Sequence, residues 1–108
     1  MQMEMMKGTL DMLIVKALLT GPAHGYGLAR WLEEVTDDAL KVEEGSLYPA
    51  LHRLERRGLV ESEWGYSDNN RRARYYALTG EGRRWLQREQ AVWGRFVEAV
   101  AKVLAAPV

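Results

Sequence analysis

Cysteine is absent from this chain of 108 residues, which has only three prolines, two histidines and one phenylalanine. Without cysteine there is no disulfide framework and no thiolate metal site, so a reducing compartment such as the cytoplasm is the expected location. His24 and His52 have no further histidine at metal-ligand spacing, and no metal or other cofactor is expected. His24 is instead expected to make a structural hydrogen bond at the start of a helix.

Long apolar runs are also missing. No stretch approaches the length of a membrane span, so no membrane partner is expected. Residues 1–6 lack the basic region and the cleavage site of a signal peptide, and we expect most of them to begin the first helix.

The sequence lacks the residue patterns of an enzyme. Ser46 is not placed in the strand-turn of a nucleophile elbow, and no pair of carboxylates is positioned for general acid–base chemistry. Gly25 and Gly27 lack the third glycine of a nucleotide-binding loop. We therefore predict that the chain has no catalytic residues.

Net charge is zero, because 15 Lys and Arg balance 15 Asp and Glu. A neutral total predicts weak non-specific binding to nucleic acid. The charges are unevenly distributed, however: residues 1–66 hold 7 basic and 11 acidic side chains, and residues 67–108 hold 8 and 4. A local basic stripe, rather than the total, sets the electrostatic footprint on DNA. The basic excess consists mainly of Arg71, Arg72, Arg74, Arg83, Arg84 and Arg88.

A helix over residues 45–57 is predicted from its two ends. Pro49 is tolerated only near the start of a helix, where its missing N–H would have had no partner. Ser46 is therefore the expected N-cap, and Gly58 is the expected stop.

This helix has two different faces. At 100° per residue, Leu47, Leu51 and Leu54 form one apolar stripe that can anchor in a core. An outward side that carries a guanidinium fork, an imidazole and an aromatic hydroxyl suits a helix that enters a DNA major groove. Among these outward residues, Arg53 is the predicted base-reading side chain, because its planar fork can pair with guanine. The outward residues are Tyr48, Pro49, His52, Arg53 and Arg56.

Two strand-like segments follow, at residues 59–67 and 71–78, and Asp68-Asn69-Asn70 forms the predicted turn between them. The alternation does not decide whether Tyr75 or Tyr76 faces the core. A helix followed by a hairpin with a basic tip is the order of a winged helix-turn-helix, in which the hairpin, here residues 64–76, is the wing.

Three further segments complete the predicted architecture. The first helix is apolar almost all round, which indicates cover by a second subunit. A second helix is expected over residues 25–36 with Tyr26, Ala29 and Leu32 facing inward and Trp31 as a further inward candidate. Residues 39–42 are a candidate for a short strand.

Thr79 is the expected cap of a last helix that runs to about Ala105 with apolar residues spaced near 3.5, the period of a coiled-coil seam. The predicted fold class is mainly α with a small β-hairpin. It comprises a winged helix-turn-helix over residues 1–78 and a C-terminal dimerisation helix over residues 79–108, in one compact unit. The predicted homodimer contacts are Leu10, Ile14, Leu86, Trp93, Val97, Val100 and Leu104.

Four sequence blocks, in this order, resemble the PadR-like family of bacterial transcriptional regulators. They are GPAHGYGL at 21–28, EGSLYPALHRLE at 44–55, GLV at 58–60 and RRARYYALT at 71–79. The resemblance implies a dimer that binds an imperfect palindrome in double-stranded DNA at a promoter, usually as a repressor. It implies DNA contacts by Ser46, Tyr48, Pro49, His52 and Arg53 of the third helix, to which we add Arg56, and by Asn70, Arg71, Arg72 and Arg74 of the wing.

Two alternatives remain open from the sequence. A winged helix can serve as a protein-interaction module without DNA binding, and the neutral net charge favours that interpretation. Some smaller members of the family stack a planar aromatic effector on a tryptophan of the last helix, which by resemblance makes Trp93, with Phe96, a candidate effector site. Aromatic residues at helical spacing are also typical of ordinary packing.

Overall fold

A computed structural model describes residues 8–108, and the predicted helix start within residues 1–6 lies outside them. The elements confirm a mainly α fold with one antiparallel hairpin. In chain order they are α1 (Thr9–Ala17, followed by a 3₁₀ turn at Leu18–Thr20), α2 (Gly25–Val35), α3 (Glu44–Arg56), β1 (Val60–Tyr66), β2 (Arg72–Leu78) and α4 (Gly80–Ala105).

One core unites the three short helices, the hairpin and the start of α4. The predicted stripe of α3 supplies Leu47, Leu51 and Leu54, each at most 1% exposed. Tyr76, not Tyr75, is the core tyrosine, and burial raises the pKa of its phenol. The backbone of Tyr76 also pairs with that of Ala23 just before α2, so the hairpin is fixed to the helices at this point.

Helix α3 begins earlier than predicted. Its N-cap is Glu43, whose carbonyl accepts from the N–H groups of Ser46 and Leu47 at 3.0 and 2.9 Å, so the prediction of Ser46 as N-cap was wrong. Pro49 consequently lies in the second turn. It leaves the Gly45 carbonyl without its helical donor, which is tolerated because Gly45 is exposed and water can serve instead. The predicted stop at Gly58 is confirmed by its left-handed φ of 75°.

The segment after α2 also differs from expectation. Residues 36–43 contain no strand, and the chain turns through left-handed φ angles of 50° at Asp37 and 64° at Asp38. Tyr26 is 65% exposed rather than inward, because it lies in the first turn of α2 on the side away from the core. Trp31 packs against the core and is half-buried.

Thr79 caps α4, as predicted. Its hydroxyl oxygen accepts from the Gly82 N–H at 3.0 Å and donates to the Gly58 carbonyl at 2.7 Å, which ties the start of α4 to the end of α3. Gly82 is buried directly against the Leu59 backbone.

The 26-residue helix α4 is about 39 Å long and extends beyond the core. Its first turns pack into the core through Leu86, which is 2% exposed, whereas the same stripe continues as exposed apolar side chains. Leu10, Ile14 and Leu86 are covered by their own chain, so, contrary to expectation, they offer a partner little surface. The exposed remainder of the predicted dimer set is Trp93, Val97, Val100 and Leu104. None of the helices within residues 8–108 is long and apolar enough to cross a membrane.

Candidate nucleic-acid interface

An open groove of about 1090 Å³ lies between α3, the N-terminus of α2 and the hairpin. Helix α2 and the hairpin each contribute aromatic and cationic side chains to it, and α3 contributes a phenol and an imidazole. The groove therefore combines arginines with flat aromatic rings beside them, and it also contains the acidic Glu34 and Asp68. Its principal side chains are Tyr26 and Arg30 from α2, Tyr48 and His52 from α3, and Trp64, Arg72 and Arg74 from the hairpin.

The N-terminus of α2 opens into this groove. His24 caps the helix, as predicted, because its Nδ1 accepts the Gly27 N–H at 3.0 Å. The Tyr48 ring lies so close to Gly25 that a Cβ at this position would be 2.9 Å from the ring. This glycine therefore lets α3 approach the positive end of the α2 dipole, which favours anions.

Arg30 extends this positive end along α2. Its guanidinium donates to the Tyr26 hydroxyl at 3.2 Å and to the Glu34 carboxylate at 3.2 Å, and these bonds raise its pKa. The pair with Glu34 is solvent-exposed, so it holds the side chain only weakly.

The exposed side of α3 carries every residue predicted there. Ser46, Pro49 and Arg56 are exposed, and Tyr48 and His52 turn toward the groove. Arg53 is exposed on the other flank of the helix, where its Nη2 donates to Asp11 Oδ1 of α1 at 2.9 Å.

The two faces of the hairpin carry opposite charges. In its register Trp64 lies opposite Arg74, and Arg72 is the diagonal neighbour on the same face. The Arg72 guanidinium is 4.3 Å and that of Arg74 is 5.4 Å from the centre of the Trp64 ring, within range for cation–π attraction. The opposite face carries the exposed Glu61 and Glu63 instead.

The wing cations differ in freedom. Arg74 Nε donates to the Ser62 hydroxyl at 2.8 Å, and its Nη2 lies 3.8 Å from Glu55, so this side chain is half held by its own chain. Arg71 and Arg72 are exposed and pair with no carboxylate among residues 8–108. Asn70 is at the hairpin tip with a left-handed φ of 57°.

Sequence reasoning missed several of these groups. Trp64 was not among the predicted site residues, yet it is 55% exposed and lines the groove. Arg72 and Arg74 are two residues apart and therefore share one face of the second strand. Pairing of the two strands across the turn would have placed Trp64 on that face. Tyr26 and Arg30 line the groove because of how α2 packs against α3 and the hairpin, which the sequence pattern does not reveal. No pattern in the sequence indicated the contact between Arg53 and Asp11.

A helix-turn-helix followed by a two-stranded wing, with a cationic groove between them, defines a winged helix-turn-helix protein. The model of the transcriptional regulator PadR-like family matches residues 14–88, and the chain belongs to this family. The family consists of transcriptional regulators, not of enzymes.

Solved structures and a curated protein are similar to this chain in agreement with this assignment. A transcriptional regulator from Clostridium thermocellum has a TM-score of 0.82 and 28% identity, covering 89% of this chain and 93% of that one. A PadR family regulator from Eggerthella lenta has a TM-score of 0.79 and 37% identity, covering 94% and 86%. A transcriptional regulator of Mycobacterium tuberculosis is 44% identical over 54 residues, which is 49% of this chain and 50% of that protein.

Proposed function

We propose that this regulator binds double-stranded DNA as a homodimer, with α3 in the major groove and the hairpin as a wing on the flanking backbone. The observation that carries the proposal is the opposite charge of the two faces of the hairpin. Its arginines face the same groove as Tyr48, His52 and the N-terminus of α2, and its glutamates face away. A phosphate backbone fits this side of the molecule and is repelled from the other.

The contacts fall into two classes by this proposal. The exposed cations Arg71 and Arg72, the Tyr48 hydroxyl and the α2 N-terminus hold phosphates, which positions the protein without reading sequence. The outward side of α3 reads base edges, with His52 and Arg53 as donors. Trp64 keeps the wing arginines extended along its ring.

Salt dependence tests the wing directly. Log affinity for a duplex is expected to fall linearly with log salt concentration, because bound cations release counterions from the DNA. In Arg72→Ala the slope should become shallower by about two for a dimer, since each protomer loses one phosphate contact. Fluorescence anisotropy of a labelled duplex across a salt series measures both slopes.

Arg95→Ala is the matched control, because it removes one exposed cation from α4, away from the groove. Its slope should equal that of the parent. A parent slope of zero would contradict the proposal and favour the alternative, a winged helix that binds another protein. Equal slopes for both variants would exclude the wing from the DNA interface.

The proposed dimer determines the symmetry of the DNA site. Two α3 helices about one helical turn apart require a pseudo-palindromic site, and occupancy of such a site within a promoter represses transcription. Enrichment of duplexes from a random pool tests the symmetry of the site. A reporter placed behind the enriched site should then fall on expression of the protein, and a rise would identify an activator.

An effector remains a separate proposal. Trp93 and Phe96 lie on the exposed stripe of α4, with ring centres 6.1 Å apart, so they would be brought to the subunit interface by the proposed dimer. A planar aromatic compound that stacks there should quench tryptophan fluorescence in the parent and not in Trp93→Ala.

A further inference from the structure

The contact between α1 and α3 contains the only charged side chain that is buried within residues 8–108. Asp11 is 7% exposed, in a helix whose inner positions are otherwise apolar. A buried carboxylate is costly unless a donor satisfies it. Arg53 supplies that donor across 42 residues of sequence, with Nη2 2.9 Å from Oδ1.

The partner is much less buried than the acid. The Arg53 side chain is 47% exposed, against 10% for Asp11. A guanidinium has five N–H donors in a fixed plane, and this contact uses one of them. No other acceptor within the described residues bonds to Arg53, so its remaining donors are not used by that part of the chain, and the side chain is half exposed.

We propose that Asp11 is a positioning residue for sequence recognition, and this rests on the proposed DNA binding. Its carboxylate fixes the plane of the Arg53 guanidinium before DNA arrives, so that the free edge of the fork meets a guanine in a defined orientation. An unrestrained arginine would lose side-chain entropy on binding and could pair with a phosphate instead. Asp11 thus makes Arg53 selective for a base without touching the DNA itself.

The proposal is tested by the base preference at one position of each half-site. Duplexes selected from a random pool by the parent define the preferred guanine, and competition binding then measures its advantage over the other bases. We expect an advantage of about 5-fold or more for the parent, the range of a good bidentate contact. Asp11→Asn should reduce it several-fold at that position alone. Arg53→Lys should remove it there, because a lysine keeps the charge and the pairing with Asp11 but has no fork.

Asp38→Asn is the matched control. It makes the same acid-to-amide change at an exposed loop position whose left-handed φ of 64° suits asparagine. Its base preferences should equal those of the parent. Thermal unfolding of each variant shows that the domain is folded, and if Asp11→Asn does not fold, Arg53→Lys still tests the base contact on which the role of Asp11 depends.

Four results would overturn the proposal. If Asp11→Asn lowers the melting temperature yet leaves every base preference intact, the pair only ties α1 to α3. If it strengthens binding to all duplexes equally, Asp11 withholds Arg53 from DNA. Full retention of the preference in Arg53→Lys shows that the fork reads no base. A parent that enriches no duplex refutes the DNA-binding proposal itself, and with it the role of Asp11.

Discussion

Gly82→Ala is expected to lower the free energy of unfolding by about 3 kcal/mol, and the melting temperature by about 15 °C. A Cβ at this position would lie 2.1 Å from the Leu59 carbonyl oxygen. This oxygen belongs to the backbone and cannot move aside by a change of side-chain rotamer. The substitution must therefore push the start of α4 away from the α3–β1 connection and strain the Thr79 cap, whose acceptor oxygen bonds to the Gly82 N–H. Thermal unfolding followed by circular dichroism measures the loss.

Gly94→Ala is the control for this prediction. Gly94 belongs to the same helix, and an added Cβ would have no neighbour within 4 Å. Alanine favours a helix interior over glycine by about 0.5–1 kcal/mol, so this variant should be slightly more stable than the parent. Equal destabilisation by both substitutions would show that replacing any glycine in α4 lowers stability, and that the close approach of Gly82 to Leu59 is not the cause.

Val97→Glu is expected to dissociate the proposed dimer. Val97 is 46% exposed in the single chain, in the middle of the apolar stripe that continues from Leu86 to Leu104. A glutamate there would place two unpaired carboxylates in the interface of a two-fold dimer. A buried charge without a partner costs several kcal/mol, so the dimer Kd should rise at least about 100-fold. Sedimentation at several concentrations measures it, and binding to the full palindrome should fall in parallel.

The control for charge is Ala91→Glu. Ala91 is exposed on the side of α4 away from the stripe, so this glutamate adds the same charge without entering the proposed interface. It should remain dimeric at concentrations where Val97→Glu is monomeric. A monomeric parent, or a dimer that persists in Val97→Glu, would contradict the assignment of this face.

Much of the fold follows from local chemistry. The leucines of α3 have helical spacing and could only face one core, Gly58 and Thr79 carry end signals that need no tertiary information, and the Asp68-Asn69-Asn70 turn accepts left-handed backbone. Pro49 misled the prediction of where α3 begins. Its preference for the first turn is a tendency, and in the second turn it leaves only the exposed Gly45 carbonyl without a helical donor.

The candidate site was predictable only in part. Outward positions on α3 follow from the helix period, so Tyr48, His52 and Arg56 were found. Partners that meet through tertiary structure have no such period. The bond from Arg53 to Asp11 and the closeness of Tyr48 to Gly25 depend on how three helices pack, which a single sequence does not encode locally.

The placement of Glu61 and Glu63 behind the wing bears on how a chain of zero net charge finds a target. A hairpin with arginines on one face and glutamates on the other carries a local dipole, which in the proposed DNA binding the field of a duplex would orient before contact. Encounters are then biased toward the productive approach, while long-range attraction to arbitrary duplex stays small. Such a protein is expected to search by repeated brief collisions rather than by prolonged sliding, because sliding depends on non-specific attraction to the phosphate backbone.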